Sequence, residues 1–325
     1  MNDHVVIGYC KVETPASSSN GENMTRRNGM VILGILLTWG MLEVQGAIGF
    51  SKSSRSLDYR TYSRVAAIRV PQKLVLRSAS AFVEDQQTGE CLVQKQAEMV
   101  LPIASITKLM TAMVVLDAQV DLQESITIEP EDVDRLRFSR SRLPVGTRLT
   151  RGEALLLALM ASENRAAHAL GRTYPGGIDI FVIAMNAKSK SLGLAETHFE
   201  DPTGISSGNV SSARELVRMV DAAYQYSLVR EFTTRKEVTI HSGRRKLKFR
   251  NSNLLIRSRS WQIGLSKTGF INEAGRCLVM QAHVAQRPVL IVLLDAQGKL
   301  TRFGDANRIK HWMEKPKQAR RNQKA

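Results

Sequence analysis

The chain has 325 residues and a formal net charge of +16, from 46 Lys and Arg against 30 Asp and Glu. With 43% apolar and 23% charged residues, 22 Gly and 9 Pro, it has the composition of a folded protein long enough for a full core, which excludes collagen, low-complexity disorder and polytopic membrane classes. Cys10, Cys91 and Cys277 form no CxxC pair, which argues against a zinc ribbon, a dithiol redox motif and a disulfide framework. Excess positive charge favours an anionic partner, whether nucleic acid, membrane or wall polymer. No RNP-like aromatic run, zinc-finger spacing or zipper heptad accompanies it, so nucleic acid is not expected.

Arg26 and Arg27 precede a nearly uncharged stretch from Gly29 to Leu42. That stretch is shorter than the ~20 apolar residues a spanning helix needs, and it fits a secretory signal. Cleavage is expected after Gly46, with Met24 as the natural start. Export removes Cys10, and Cys91 and Cys277, in apolar strand-like contexts, are expected to be two buried thiols. Residues 47–77, rich in Ser and Arg, read as a basic and poorly ordered leader; residues 315–325 read as a solvated basic tail. Between them, residues 78–314 form the expected folded domain.

Ala81-Phe82-Val83 and Cys91-Leu92-Val93 flank a turn ending at Gly89 and predict a hairpin. Apolar spacing from Ser105 to Ala118 predicts a helix with Ser105 at or near its first turn. Thr150 with Glu153, and Ser212 with Glu215, form capping boxes ahead of two further helices, and Asn164 to Arg172 is helical in character. Beyond Lys236 the apolar period becomes two, giving a hairpin around Ser242-Gly243 and strands at Ile263–Gly269, Cys277–His283 and Val289–Leu294 before a helix at Phe303–Trp312. This order predicts an α+β fold whose two sequence ends come together around a helical subdomain at about residues 104–235.

Three motifs stand in order: Ser105-Ile106-Thr107-Lys108, Ser162-Glu163-Asn164 and Lys267-Thr268-Gly269. Residues i and i+3 share a helix face, so Lys108 can reach Ser105 and act as its base when burial and a neighbouring cation, Lys267, favour the neutral amine. Ser162, at a break between helices, is placed to relay the proton to a leaving amine, and Asn164 to position Lys108 and a substrate amide. Lys267 and Thr268 on an edge strand offer a cation and a hydroxyl to a substrate carboxylate, and Gly269 allows close backbone approach. The backbone N–H groups of Ser105 and Phe270 are the expected oxyanion donors. Each motif alone is common: Ser18-Ser19-Asn20 and Ser207-Gly208-Asn209 also match Ser-x-Asn. Specificity lies in order and context. His198, His241, His283 and His311 show no zinc-binding spacing, and His168 is expected to be a packed or capping histidine.

Together with Asp201-Pro202-Thr203-Gly204 and Gly264-Leu265-Ser266 before Lys267, these segments resemble the penicilloyl-serine transferase superfamily. Within it the chain is most similar to low-molecular-mass penicillin-binding proteins of the D-alanyl-D-alanine endopeptidase type, over roughly Ser78 to Trp312. The resemblance implies a β-lactamase/transpeptidase-like fold, mainly antiparallel sheet flanked by helices. It implies peptidoglycan stem peptides as substrate, an acyl-enzyme on Ser105, penicillin as a substrate mimic, and no cofactor or metal. Periplasmic location follows, soluble or held by charge against anionic wall or membrane. Only 56 residues follow Gly269, so the extra domain and anchor of related carboxypeptidases are not expected. A D,D-carboxypeptidase is the alternative. A β-lactamase is disfavoured because Glu196 and Glu200 read as loop charges, and a non-catalytic scaffold because Ser105 and Lys108 are intact.

Overall fold

The computed structural model describes residues 74–315 apart from Arg244. The export signal, the leader up to residue 73 and the tail from residue 316 lie outside the described residues. Strands β1 (Ser78–Asp85) and β2 (Cys91–Lys95) make the expected hairpin. A two-residue strand, β3 (Leu101–Pro102), leads through a 3₁₀ turn at Ala104–Thr107 into helix α1 (Lys108–Asp117). Strands β4 (Ser125–Thr127) and β5 (Arg148–Thr150) pair across an intervening loop and precede α2 (Arg151–Met160), α3 (Asn164–Arg172) and α4 (Gly177–Ser191). Strand β6 (Val210–Ser211) pairs with β3, and α5 (Ala213–Tyr224) and α6 (Ser227–Thr234) follow. The hairpin β7 (Glu237–Ser242) and β8 (Arg245–Arg250) leads to β9 (Gln262–Ile271), β10 (Gly275–Val284) and β11 (Arg287–Ala296), and α7 (Thr301–Glu314) follows them.

The main sheet runs β2-β1-β11-β10-β9, every neighbouring pair antiparallel. Its strands are apolar on both faces because both faces are covered. Phe82, Val279 and Val292 pack toward the helices between β3 and β7, whereas Ala81, Leu278, Met280, Ile291 and Leu293 pack with Phe303, Ile309 and Trp312 of α7. The first strand pairs with the last, Ser78 opposite Ala296 and Val83 opposite Ile291, so the sequence ends do meet around the helical insert. This places the Lys267-Thr268-Gly269 strand at the open edge, against the 3₁₀ turn that holds Ser105.

Some of these expectations hold and others are corrected. Ser105 lies in a 3₁₀ turn, and α1 begins only at Lys108. The capping box at Thr150 and Glu153 is complete. At Ser212 only the hydroxyl caps, since the Glu215 carboxylate is taken by Glu196 N at 3.2 Å and Thr197 Oγ1 at 2.6 Å. Cys277, in an interior strand, is buried, and burial pushes its thiol up to about 11. Cys91, on the edge strand β2, is only half-buried. Helix α4 carries no side-chain cap and begins after Gly176 in the left-handed region (φ 89°), so Asp179 in its first turn is the one start signal it offers.

The end of the leader is also ordered. Leu74 and Leu76 are buried against the α7 side of the sheet. The enclosed Asp305 carboxylate of α7 accepts from Arg77 N at 3.0 Å, Ser78 N at 2.7 Å and Ser78 Oγ at 2.6 Å, and pairs with Arg308. Removing it leaves buried donors without an acceptor. Asp305→Ala is expected to lower unfolding free energy by about 3 kcal/mol in urea titrations, with Asp305→Asn recovering part of the loss; an unchanged midpoint for both would refute this role.

Candidate active site

Ser105 sits in a turn gripped from two sides by backbone. Ala104, one residue before it, is held in the left-handed region (φ 47°), a costly conformation for a residue with a side chain. A Cβ on Gly204 would meet Ala104 O at 2.0 Å, and one on Gly269 would meet Ile103 O at 2.8 Å and Ser105 N at 3.2 Å. Both glycines are therefore required by close approach. Thr107 ties the same turn inward: its hydroxyl donates to Ala104 O at 2.8 Å and accepts from Asn209 Nδ2 at 3.1 Å.

Lys108, at the start of α1, is 0% exposed. Its ammonium donates to Ser105 Oγ at 2.8 Å, Asn164 Oδ1 at 2.7 Å and Thr203 O at 2.6 Å. Three acceptors in a closed cage satisfy its hydrogen bonds but do not replace bulk hydration. Burial pulls its pKa down to about 7, against the opposing pull of the Asp201 and Glu163 carboxylates. Asp201 also builds the cage wall. Its carboxylate accepts from Thr203 N at 2.6 Å, Gly204 N at 2.8 Å and Ser206 N at 2.9 Å, folding the loop so that Thr203 O faces Lys108.

Ser162 lies between α2 and α3 with φ 62°, a second strained turn. Glu163, its neighbour, caps α3 from a buried position, and burial pushes its carboxyl above the usual range. Ser162 Oγ accepts from Lys267 Nζ at 2.8 Å. The arrangement is thus two lysine–serine pairs, Lys108 with Ser105 and Lys267 with Ser162. Lys267 is 1% exposed, also donates to Thr268 O at 3.0 Å, and is held well below the usual lysine range by burial, then by Lys108 and Arg302. Asn164 bridges the centre to a neighbouring loop: its Oδ1 takes the Lys108 bond and its Nδ2 donates to Ser139 Oγ at 2.9 Å.

On β9, Thr268 Oγ1 donates to Ser252 Oγ at 2.7 Å, and Phe270 stands exposed with the Arg276 guanidinium 4.2 Å from its ring centroid. A cavity of about 240 Å³ opens over this centre, lined among others by Ser105, Arg137, Ser139, Asn164, Phe270 and Asn272. All the residues singled out from the sequence therefore lie around one centre, although Ser162 contacts Lys267 rather than Lys108.

Four participants were not read from the sequence as chemical groups: Thr203, Asp201, Ser139 and Arg302. Arg302, in the first turn of α7, is buried and donates to Gly269 O at 3.3 Å, while its Nε has no acceptor. Among the described residues it makes no ion pair. Burial and the nearby Arg276 lower its pKa to about 10. This buried guanidinium, 4.8 Å from the Phe303 ring centroid and without a carboxylate behind the Lys267-Thr268-Gly269 strand, leaves a cation available to an anion. Glu196 and Glu200 are exposed and line no part of the cavity. His168 packs with Nδ1 2.7 Å from Asp132 Oδ1, and Arg172 pairs with the same carboxylate. Among the described residues no group of three His, Cys, Asp or Glu side chains is set to hold a metal.

The family model described as D-alanyl-D-alanine carboxypeptidase, peptidase S11, matches residues 67–298. A D-alanyl-D-alanine endopeptidase of Pseudomonas aeruginosa is 48% identical over 247 residues, covering 75% of this chain and 80% of its own length. One of Escherichia coli K12 is 43% identical over 254 residues, covering 78% and 82% respectively. Among solved structures, the Streptomyces K15 DD-transpeptidase superposes with a TM-score of 0.69 at 28% identity, covering 74% of this chain and 98% of that one.

The Lys108 value fixes the direction of a pH profile. Its neutral, proton-accepting form grows as pH rises through about 7, so covalent modification of Ser105 by a serine-directed acylating probe is expected to accelerate about tenfold from pH 6 to pH 8. Stopped-flow labelling across that range checks it; a flat profile would remove Lys108 as the base.

Proposed function

The chain belongs to the D-alanyl-D-alanine carboxypeptidase family, peptidase S11, and on that premise we propose that Ser105 opens D-alanyl amide bonds of peptidoglycan through an acyl-serine ester. The observation that carries this reading is the 2.8 Å contact between Ser105 Oγ and a fully enclosed Lys108 whose pKa is brought to about 7. At neutral pH about half of such amines are free to accept a proton.

In this reading Ser105 Oγ bonds to the D-alanyl carbonyl carbon as Lys108 Nζ takes its proton. The developing oxyanion is held by the N–H groups of Ser105 and Phe270. The C–N bond then breaks as Ser162 gives its hydroxyl proton to the departing amine and is reprotonated from the lysine pair through Lys267, whose Nζ lies 2.8 Å from its Oγ. Water adds to the ester, the Ser105–acyl bond breaks, and the proton goes back to Ser105. Asn164 orients Lys108 and the substrate amide, while Lys267, Thr268 and Arg302 form the cationic and hydroxyl end that accepts a substrate carboxylate. Penicillin acylates the same serine along the same path.

The relatives at 48% and 43% identity are both named D-alanyl-D-alanine endopeptidases, and each is covered over about four fifths of its length. This supports cutting of D-alanyl-diaminopimelate cross-links, and hence wall remodelling, ahead of trimming terminal D-alanine. Export to the periplasm rests on the basic and apolar segment at Arg26–Leu42. Among the described residues no helix is long and apolar enough to cross a membrane. The net positive charge supports a further attraction to anionic surroundings.

The test offers the purified protein a D,D-cross-linked tetrapeptide dimer and, separately, a pentapeptide muropeptide. Splitting of the dimer is expected, and Ser105→Ala is expected to lose both turnover and penicillin labelling. Release of D-alanine from the pentapeptide alone would make the enzyme a carboxypeptidase, and labelling that survives Ser105→Ala would refute the nucleophile. Arg302→Gln is expected to lower kcat/KM for penicillin acylation by about ten- to a hundredfold with little change in melting temperature; unchanged acylation would remove Arg302 from the carboxylate end.

A further inference from the structure

The positive charge of the chain is concentrated. Residues 135–148 and 235–259 together contain fourteen Lys and Arg against a single acid, Glu237, a net of +13 where the whole chain carries +16. The first segment is the loop leading into β5; the second spans the β7–β8 hairpin and the 3₁₀ turn at Leu254–Arg257. They form one face, because Arg142 Nη1 donates to Lys248 O at 2.6 Å and Thr147 Oγ1 lies 3.1 Å from Ser242 Oγ. Arg140, Arg142, Arg148, Arg245, Lys246 and Lys248 are exposed on it.

Among the described residues few carboxylates offset this density: Arg137 pairs with Glu273 at 2.8 Å. Glu237 is already shared by Lys248 at 2.7 Å and Arg250 at 3.8 Å. The nearest other carboxylate along the loop, Asp134, is occupied by the N–H groups of Leu136, Arg137 and Ser139. Like charges crowded on a two-stranded hairpin repel one another in the folded state. Such a face is suited to an external anion.

The face is continuous with the groove. Ser139, inside the loop, holds Asn164, and Arg137 lines the same cavity as Ser105. Ser252, two residues past β8, holds Thr268. A long substrate seated over Ser105 therefore runs onto the basic face. Arg137 and Phe270 line the cavity beside this face, so a flat bilayer seated there would compete with substrate for the same approach, and the loop's exposed large apolar side chains are Leu136, Val145 and Phe138, the last 79% exposed.

We propose that the loop 135–148 and the β7–β8 hairpin form a docking surface for the cross-linked polymer itself, binding free carboxylates of stem peptides that neighbour the bond being cut. The proposal rests on the peptidoglycan reading and extends it from the scissile peptide to the surrounding mesh. Its consequence is that the enzyme discriminates polymer from soluble fragments by charge, through an interaction that salt weakens.

The test measures co-sedimentation of the full chain carrying Ser105→Ala with intact sacculi, so that the polymer stays whole, and with vesicles containing phosphatidylglycerol. Replacing Arg140, Arg148, Arg245 and Lys246 together by Gln is expected to weaken sacculus binding about tenfold and flatten its salt dependence. Lys190→Gln with Lys299→Gln, which removes charge on α4 and before α7, is expected to leave binding unchanged. With Ser105 intact, the fourfold variant is expected to split the soluble dimer at the normal rate but to solubilise sacculi more slowly. Unchanged sacculus affinity in the fourfold variant would overturn the proposal, as would lost vesicle binding with sacculus binding intact, which would assign the face to lipid. Failure of the unmodified enzyme to cut either soluble muropeptide would instead sink the peptidase reading, since binding is measured on the inactive chain.

Discussion

An ammonium enclosed without bulk water, as Lys108 is, can be kept in a fold only if hydrogen bonds surround it and if its charge is allowed to leave. Asn164 Oδ1, Thr203 O and Ser105 Oγ supply the first condition. Its pKa of about 7 supplies the second. The same fact sets a stability cost. An unfolded lysine stays protonated up to about 10.5, so between about 7 and 10.5 the unfolded chain binds more protons and folding strengthens as pH rises; below about 7 the penalty is present in full. The enclosure that burdens the fold at low pH is the one that leaves a lysine amine free of its proton near neutrality.

Keeping Ser105 against that amine is a problem of backbone placement. The sheet solves it by joining the first and last strands, which brings β9 to an open edge beside the turn preceding α1. The turn then fits only because Gly204 and Gly269 present no side chain to Ala104 O, Ile103 O and Ser105 N. Positive φ values at Ala104 and Ser162 are the local cost of the fit. They fall just before the first serine and at the second, where tertiary contacts over-determine the backbone.

What the sequence disclosed follows the range of the interactions involved. Helix α2 was legible because Thr150 and Glu153 satisfy each other three residues apart, and β9 to β11 because apolar strands bounded by turns keep their pattern in any context. The motif serines and lysines were legible through order and spacing. The 3₁₀ turn at Ser105 was not, since its cause is the approach of Gly204 and Gly269, 99 and 164 residues away. Glu215 reads as half of a capping box but serves Glu196 and Thr197, a competition invisible locally. Arg302 carries no motif at all; it becomes informative only when its burial without a carboxylate, behind Gly269, is seen.

In the proposed reading, that arginine also links substrate binding to the proton chemistry. Lys267 is held below its usual range by burial and by the charges of Lys108 and Arg302. A substrate carboxylate arriving beside Lys267 and Arg302 reverses part of this, since an opposite charge favours the cation. Once Lys267 is held as a cation, its field disfavours a second cation on Lys108. Occupying the carboxylate end of the groove therefore favours one proton on Lys267 and none on Lys108, the distribution in which Ser105 has a free base and the leaving amine has a donor path through Ser162. A fragment lacking the carboxylate supplies no charge to hold a proton on Lys267, so in the proposed reading the carboxylate serves the placement of the proton as well as the contact.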